Sequence, residues 1–253
     1  MSVIREKRLK SDGFSIPYIW NVNEKSRMIM LCLHGFGGDK DSSVIAALMR
    51  SLEEKGIGVV TFDWPAHGES DAPDQFLTVE NCLNDLDIML TWIKKRSDLP
   101  VACFATSFGG YLATLYRNEH PEVFEYLILR SPALKMKEVF RNILSESEFE
   151  KLMRGEGIIQ GFERKMITEK DFYESLCRHD AYSIKPPDPE KVFIIQGDKD
   201  DVVDPEDTMA YASLNGTEIC VFEGTDHLYK KPGEKERIVQ VTEQFLKDRN
   251  ELE

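Results

Sequence analysis

The sequence predicts an α/β fold with a mostly parallel central sheet and helices on both faces. Short, continuously apolar runs alternate with stretches of helical periodicity along most of the chain, as Met28–Leu33 does with Ser43–Lys55. Such runs suit strands buried on both faces, the usual state of strands in a parallel sheet. The runs also end in small-residue or acidic loops, including His34-Gly-Phe-Gly-Gly38, Thr106-Ser-Phe-Gly-Gly110 and Gly197-Asp-Lys-Asp-Asp201. Loops at the carboxyl ends of parallel strands are where open α/β sheets bind ligands.

In order along the chain, Ile4 to Lys10 and Phe14 to Trp20 flank Asp12-Gly13, a turn dipeptide, and read as a hairpin. Met28–Leu33 is a buried strand, and the helix after it, Ser43 to Lys55, stops at Gly56. Gly58 to Phe62 is a second buried strand, leading into Asp63-Trp-Pro-Ala-His-Gly-Glu-Ser70. A helix from Val79 to Lys94 carries apolar residues at Leu83, Leu86, Leu90 and Ile93. Val101–Thr106 is a strand, a helix follows to about Asn118, and Tyr126–Arg130 is the next strand. Alternation then lapses between Ala133 and Pro186, a charged, helix-rich stretch with a hairpin near Gly157–Gly161 and a helix capped by Thr168. It resumes with a strand at Lys191–Gln196, a helix to about Ser213, a strand at Glu218–Phe222 and a closing helix from Glu234 to Lys247. Residues 1–134 and 186–253 therefore form the expected core, and 135–185 an insertion read as a cap or lid over the carboxyl edge of the sheet.

Composition narrows the function. A chain of 253 residues with 42% hydrophobic content supports one large domain. Its formal net charge of -13 opposes nucleic-acid and membrane-surface partners, because both surfaces are anionic. Residues 1–10 lack the apolar stretch of a signal peptide, and the run at Met28–Leu33 is far shorter than the about 20 residues of a membrane span. A cytoplasmic protein is expected. The 5 cysteines show no framework spacing and read as reduced core thiols. The 5 histidines show no ligand pair at helical or finger spacing, so neither a metal nor another cofactor is expected.

The chemistry centres on Val101-Ala-Cys-Phe-Ala-Thr-Ser-Phe-Gly-Gly110. A strand that breaks through a small-residue turn into a helix is the setting of a nucleophile elbow, which lifts the Ser107 hydroxyl to the carboxyl edge of the sheet. Strand and helix backbones pass closely there, so the flanks must be small, and Ala105 and Gly109 are. A serine hydroxyl is a weak nucleophile until a base takes its proton, and the base needs an acid to fix its tautomer. Ser107, an Asp cluster (Asp198, Asp200, Asp201, Asp204) and His227 follow three successive loops in the order Ser, Asp, His. Physics alone asks only for one carboxylate within reach of the His227 ring.

With these motifs the sequence resembles the α/β-hydrolase superfamily over nearly its whole length, closest to the small esterase branch of cinnamoyl/feruloyl esterases and monoacylglycerol-lipase-like enzymes. The carrying motifs are His34-Gly-Phe36, Asp63-x-x-x-His67-Gly-x-Ser70, Ala105-x-Ser107-x-Gly109-Gly110, Gly197-x-x-Asp200 and Gly224-x-Asp226-His227. The resemblance implies an α/β-hydrolase fold with Ser107 as nucleophile, His227 as general base and acid, and Asp200, by its spacing from Gly197, as the orienting carboxylate, with Asp198 as runner-up. It also implies an oxyanion hole from the backbone N–H groups of Phe36 and Phe108. His34, Gly35 and Gly37 support the first of these loops, and His67 reads as structural. Ala105 and Ala66 stand where the family carries glycine. The implied activity is hydrolysis of small carboxylic esters through an acyl-enzyme, as a carboxylesterase-like serine hydrolase. Alternatives are another serine acyl hydrolase (thioesterase, peptidase, C–C hydrolase or perhydrolase) or a non-catalytic ligand-binding relative. A nucleotide-binding oxidoreductase, with Gly35-Phe-Gly-Gly38 on phosphate and Asp63 on ribose, lacks its third glycine, because Lys40 occupies that place. The expected partner is a small-molecule ester, whose pocket walls are drawn from Phe140, Phe149, Phe162, Phe172, Tyr173 and Tyr182. Oligomeric state is not legible.

Overall fold

The apolar runs become adjacent strands of one sheet in the computed structural model, which describes residues 4–160, 165–249 and 251–252. In chain order the core elements begin with strands β1 (Ile4–Ser11), β2 (Phe14–Asn21) and β3 (Met28–Leu33), helix α1 (Ser43–Glu53) and strand β4 (Ile57–Phe62). Helix α2 (Val79–Arg96), strand β5 (Val101–Thr106), helix α3 (Phe108–Glu119) and strand β6 (Leu127–Arg130) follow. Helices α4 (Met136–Asn142) and α5 (Glu146–Met153), strands β7 (Ile158–Gln160) and β8 (Met166–Thr168) and helix α6 (Lys170–Arg178) fill the stretch before β9 (Val192–Gly197). Helix α7 (Pro205–Asn215), strand β10 (Glu218–Phe222) and helix α8 (Glu234–Lys247) complete the chain.

The eight-stranded sheet has the order β1-β2-β4-β3-β5-β6-β9-β10. The strands from β4 across to β10 pair in parallel, and the β1–β2 hairpin adds antiparallel against β4, with a register shift between Glu6 and Leu9. This is an α/β-hydrolase fold.

The period of two in β3 divides the core into two layers. Met28, Met30 and Cys32 face Leu48 and Leu52 of α1 and Ile238 and Phe245 of α8. Ile29, Leu31 and Leu33 face the opposite layer, which holds Leu86 and Met89 of α2 and Leu112 of α3. Every residue of β3 and β4 is buried, as a strand covered by helices on both sides requires. Local signals set the helix ends. The Thr78 side chain accepts from Asn81 N–H at the start of α2, and Asp204 caps α7 ahead of Pro205.

In the insertion the structure refines the sequence reading. Its helical part splits into α4 and α5, the latter opened by a Ser145–Glu148 capping box. The hairpin pairs Ile158–Gln160 with Met166–Thr168. Thr168 ends β8, and Glu169 is the N-cap of α6, without a side-chain capping bond. Two 3-10 turns, Asp74–Phe76 and Pro189–Lys191, were not legible either. All five cysteines are free; Cys177 is exposed rather than in the core. Among the described residues no helix is long and apolar enough to cross a membrane.

Candidate active site

The sheet order brings the loops after β5, β6, β9 and β10 side by side at one edge. Ser107, at the corner between β5 and α3, has φ 50° and ψ −112°, a backbone region that a residue with a side chain rarely occupies. Close packing holds the corner. A Cβ on Gly109 would lie 2.6 Å from the His34 carbonyl oxygen and 2.8 Å from that of Leu33, so no larger residue fits. Ala105 is fully buried between Leu33 and Leu129 of the neighbouring strands. Ala66 has φ 62°, so the second place where the family carries glycine is a left-handed one, here taken by alanine.

The Ser107 Oγ lies 3.0 Å from His227 Nε2. On the other side of the ring, Nδ1 lies 2.8 Å from Asp200 Oδ2 and 3.0 Å from Oδ1. Asp200 Oδ1 also accepts from the N–H groups of Val202 (3.0 Å) and Val203 (2.8 Å), and Oδ2 from Gln196 Nε2 (3.1 Å). Burial alone would raise the Asp200 pKa. The hydrogen bond and charge of His227, the Val203 N–H and the Ser131 hydroxyl outweigh it and hold the carboxyl below its ordinary value. An anionic Asp200 fixes the proton on Nδ1 and leaves Nε2 free to accept from serine. Ser107 is 8% and His227 6% exposed, so the pair is sheltered yet reachable.

The competing aspartates are engaged elsewhere. Asp198 accepts from Gly224 N–H, Asp204 from Glu206 N–H, and Asp226 from Leu228 and Tyr229 N–H, while Asp201 is exposed at the surface.

The loop after β3 lies against the corner, with a Cβ on Gly35 only 3.2 Å from Ser107 Cβ. The Gly35 carbonyl accepts from His34 Nδ1 (2.8 Å) and from Gly38 N–H (3.1 Å). A trans peptide then sends the Phe36 N–H to the opposite side. Phe108 is the first residue of α3, where a helix leaves its N–H groups without intrahelical acceptors. The Phe108 N–H, next to Ser107 in the chain and at the head of α3, is available to an acceptor at this corner. The imidazole of His34 is fixed as the Nδ1–H tautomer, since Nε2 accepts from Trp64 N–H (3.3 Å). Burial pushes its pKa down to about 4, opposed by the Gly35 hydrogen bond and assisted by the charge of Lys40. His67 Nδ1 donates to the Pro65 carbonyl (2.9 Å).

Lys40 and Asp63, central to the nucleotide reading, are bound to each other. The fully buried Asp63 accepts from Lys40 Nζ (2.9 Å), Lys40 N–H (2.8 Å) and Glu69 N–H (2.8 Å), so both of its oxygens are engaged within the protein.

Of the expected pocket walls, Phe140 and Phe172 are fully buried. Phe172 stacks on Phe36 at 5.5 Å and meets Phe108 and Phe140 edge-on, so the insertion is fastened directly to the two loops around Ser107. Phe149 and Tyr173 pack against each other at 5.2 Å. Tyr182 lines a small surface cleft with Pro132, Leu134 and Val203. Phe162 lies outside the described residues. Ser131 and Tyr229 escaped sequence reasoning, because nothing in their local pattern marks them. Among the described residues no group of three or more His, Cys, Asp or Glu is placed to hold a metal.

Comparison with known proteins places this geometry in a family context. The family model described as serine aminopeptidase, S33, matches residues 24–157. Lysophosphatidylserine lipase ABHD12 of Gallus gallus is 34% identical over 124 residues, 46% of this chain and 31% of its own. Protein phosphatase methylesterase 1 of Candida albicans is 25% identical over 119 residues, 46% of this chain and 32% of its own. The matches thus span about a third of the length of these relatives. In structure, Est1E of Butyrivibrio proteoclasticus, solved with ferulic acid bound, superposes with a TM-score of 0.80 at 19% identity, covering 94% of this chain and 97% of that one.

Proposed function

Because that family model covers more than half of its length, the chain belongs to the serine aminopeptidase S33 family of hydrolases, and we propose that it hydrolyses small carboxylic esters through a serine acyl-enzyme. The observation that carries this reading is the line of contacts Ser107 Oγ–His227 Nε2–Nδ1–Asp200, at 3.0 and 2.8 Å. His227 takes the Ser107 proton as Oγ adds to the acyl carbon. The oxyanion settles on the N–H groups of Phe36 and Phe108. On collapse, the imidazolium returns the proton to the departing alkoxide, which leaves as the alcohol. Water then repeats the sequence on the acyl-enzyme, releasing the acid and restoring Ser107. Asp200 keeps the imidazole in the required tautomer throughout.

Esters are favoured over other acyl compounds by the names of the similar proteins, a methylesterase and a lipase among them. The net charge of -13 favours neutral or weakly charged ones. In the same reading residues 135–185 act as a cap, with Phe172 as its anchor and the Tyr182 cleft receiving one side of the substrate.

The test pairs a fluorophosphonate with a panel of p-nitrophenyl esters. Covalent labelling at Ser107 and ester turnover are expected, both abolished in Ser107→Ala, with turnover down by about 10⁶ by analogy with other serine hydrolases. Intact labelling of the alanine variant would falsify the assignment. Since the family is described by an aminopeptidase, aminoacyl p-nitroanilides belong in the panel. Faster cleavage of these than of the esters would move the substrate class to amides while keeping the same serine.

A further inference from the structure

The acyl transfer described above leaves one buried cation unused. Arg117 stands in the last turn of α3, and its side chain is only 3% exposed. Its Nε, Nη1 and Nη2 are all buried, and none of them has a hydrogen-bond partner among the described residues. The one carboxylate that approaches it there, that of Asp188, lies 3.9 Å from Nη2, beyond hydrogen-bond length. Asp188 is itself 40% exposed, and as N-cap of the 3-10 turn Pro189–Lys191 it makes no side-chain capping bond. Nothing therefore fixes its carboxylate to the guanidinium.

Arg117 lines a cleft whose other walls are apolar, among them Leu127, Leu129, Ile184, Pro186 and Val192. The two hydroxyls on this cleft are committed elsewhere. Thr114 donates to the Gly110 carbonyl (2.8 Å) and Tyr211 to the Ile184 carbonyl (3.0 Å). A buried guanidinium without acceptors is costly, because it has given up water and gained no bond in return. Water fills such a place poorly, since a buried water needs about two to four polar partners and these walls offer few. A carboxylate meets both demands. Its paired oxygens match the planar fork of N–H groups, and a short hydrocarbon remainder suits the leucine and proline walls. The cleft is separate from the acyl-transfer site, because Arg117 stands about 15 Å along α3 from Ser107.

We propose that this cleft is a second ligand site, which takes the carboxylate of a small aliphatic acid on Arg117. Asp188 is then the competitor of the ligand: it lends partial counter-charge from 3.9 Å in the empty site and swings to solvent as the acid enters. The site needs only Arg117 and its walls, so it stands whether or not Ser107 is the nucleophile.

Thermal melts of the full chain in sodium butyrate, against sodium chloride at the same ionic strength, test the site. Butyrate should raise Tm saturably, by roughly 3–6 °C at about ten times its dissociation constant. Ser107→Ala should keep this response, which separates the cleft from butyrate held at the catalytic serine. Arg117→Met should lose it, yet melt no lower than wild type in chloride, because an apolar chain in place of an unpaired buried charge removes a cost. Asp188→Asn takes away the competitor and should tighten butyrate binding by roughly 2- to 5-fold. That variant keeps the test decisive even if Arg117→Met fails to fold. No saturable rise over chloride would overturn the proposal and leave a cleft that holds water alone. A rise that survives Arg117→Met, or one that disappears in Ser107→Ala, would place the acid elsewhere and overturn it too. If Asp188→Asn melts lower and binds butyrate no better, Arg117 and Asp188 are a structural ion pair and the proposal falls.

Discussion

Replacing Asp200 by asparagine should leave the fold intact and cost up to about 10⁴ in kcat, and the hydrogen bonds around the carboxylate show why. Oδ1 takes the Val202 and Val203 N–H groups, two donors fixed by the turn. The amide oxygen of an asparagine must stay on those donors, which puts its NH₂ where Oδ2 now lies, 2.8 Å from His227 Nδ1. Two donors cannot share that contact, so the imidazole must move its proton to Nε2. That nitrogen would then donate towards Ser107 Oγ when catalysis needs it to accept. A 10⁴ loss corresponds to about 5.4 kcal/mol at the transition state. Part is the wrong tautomer, and part is the lost anionic partner of the imidazolium, for which a charged hydrogen bond contributes about 1.5–3 kcal/mol. Asp198→Asn is the matched control. Its Oδ1 receives only the Gly224 N–H, which an amide oxygen accepts equally well, so turnover should fall by less than about threefold. Steady-state hydrolysis of p-nitrophenyl acetate with a thermal melt of each variant decides the matter. If Asp200→Asn kept a tenth of wild-type kcat, or Asp198→Asn lost as much as Asp200→Asn, the tautomer reasoning would be wrong.

Two further outcomes follow from burial. Phe172→Ala should destabilise the protein by about 3–5 kcal/mol and lower kcat/KM evenly across acyl chain lengths, because Phe172 is fully buried against Phe36, Phe108 and Phe140; a selective change for one chain length in an ester panel would make it a pocket wall instead. His34, with its pKa pushed down to about 4, stays neutral in the native state while the unfolded chain protonates near 6.5. Stability from this residue is therefore full above about pH 6.5 and is lost as pH falls towards 4, by about 3 kcal/mol. Urea midpoints at pH 7 and pH 4.5 should show a smaller acid loss in His34→Gln, and an unchanged loss would assign the sensitivity to other groups.

Much of this architecture was legible because burial on both faces leaves an unmistakable mark. Strands β3, β4, β5 and β9 are short apolar runs in the sequence, and the closing helix falls on the residues its periodicity gave, Glu234–Lys247. Strand order is a different matter. No local pattern says that β4 lies outside β3, or that the N-terminal hairpin adds antiparallel to β4, since both depend on pairing between distant segments. In the insertion, the division into α4 and α5 rests on the capping box at Ser145 rather than on periodicity. At the site, motifs pointed to Ser107 and His227, but choosing among four aspartates took the angular reach of a carboxylate, which spacing encodes only through the family. Ser131 and Tyr229 were invisible because positive φ in a residue with a side chain has no compositional signature.

Helix α3 carries one consequence for how the protein moves. Its residues from Phe108 to Arg117 are all buried, so it has no wetted face from which to fray. Opening it exposes the core layer it shares with Leu86 and Met89 of α2, and its amides should exchange with solvent hydrogen only through global unfolding. Ser107 sits at the head of this helix, in a backbone shape that would relax at the first local opening. Burial of the helix disfavours such an opening, so the strained corner should persist for the lifetime of the native state. The nucleophile is thus tied to the slowest-exchanging part of the chain, and proteolysis or mild heat should spare it until the whole fold is lost.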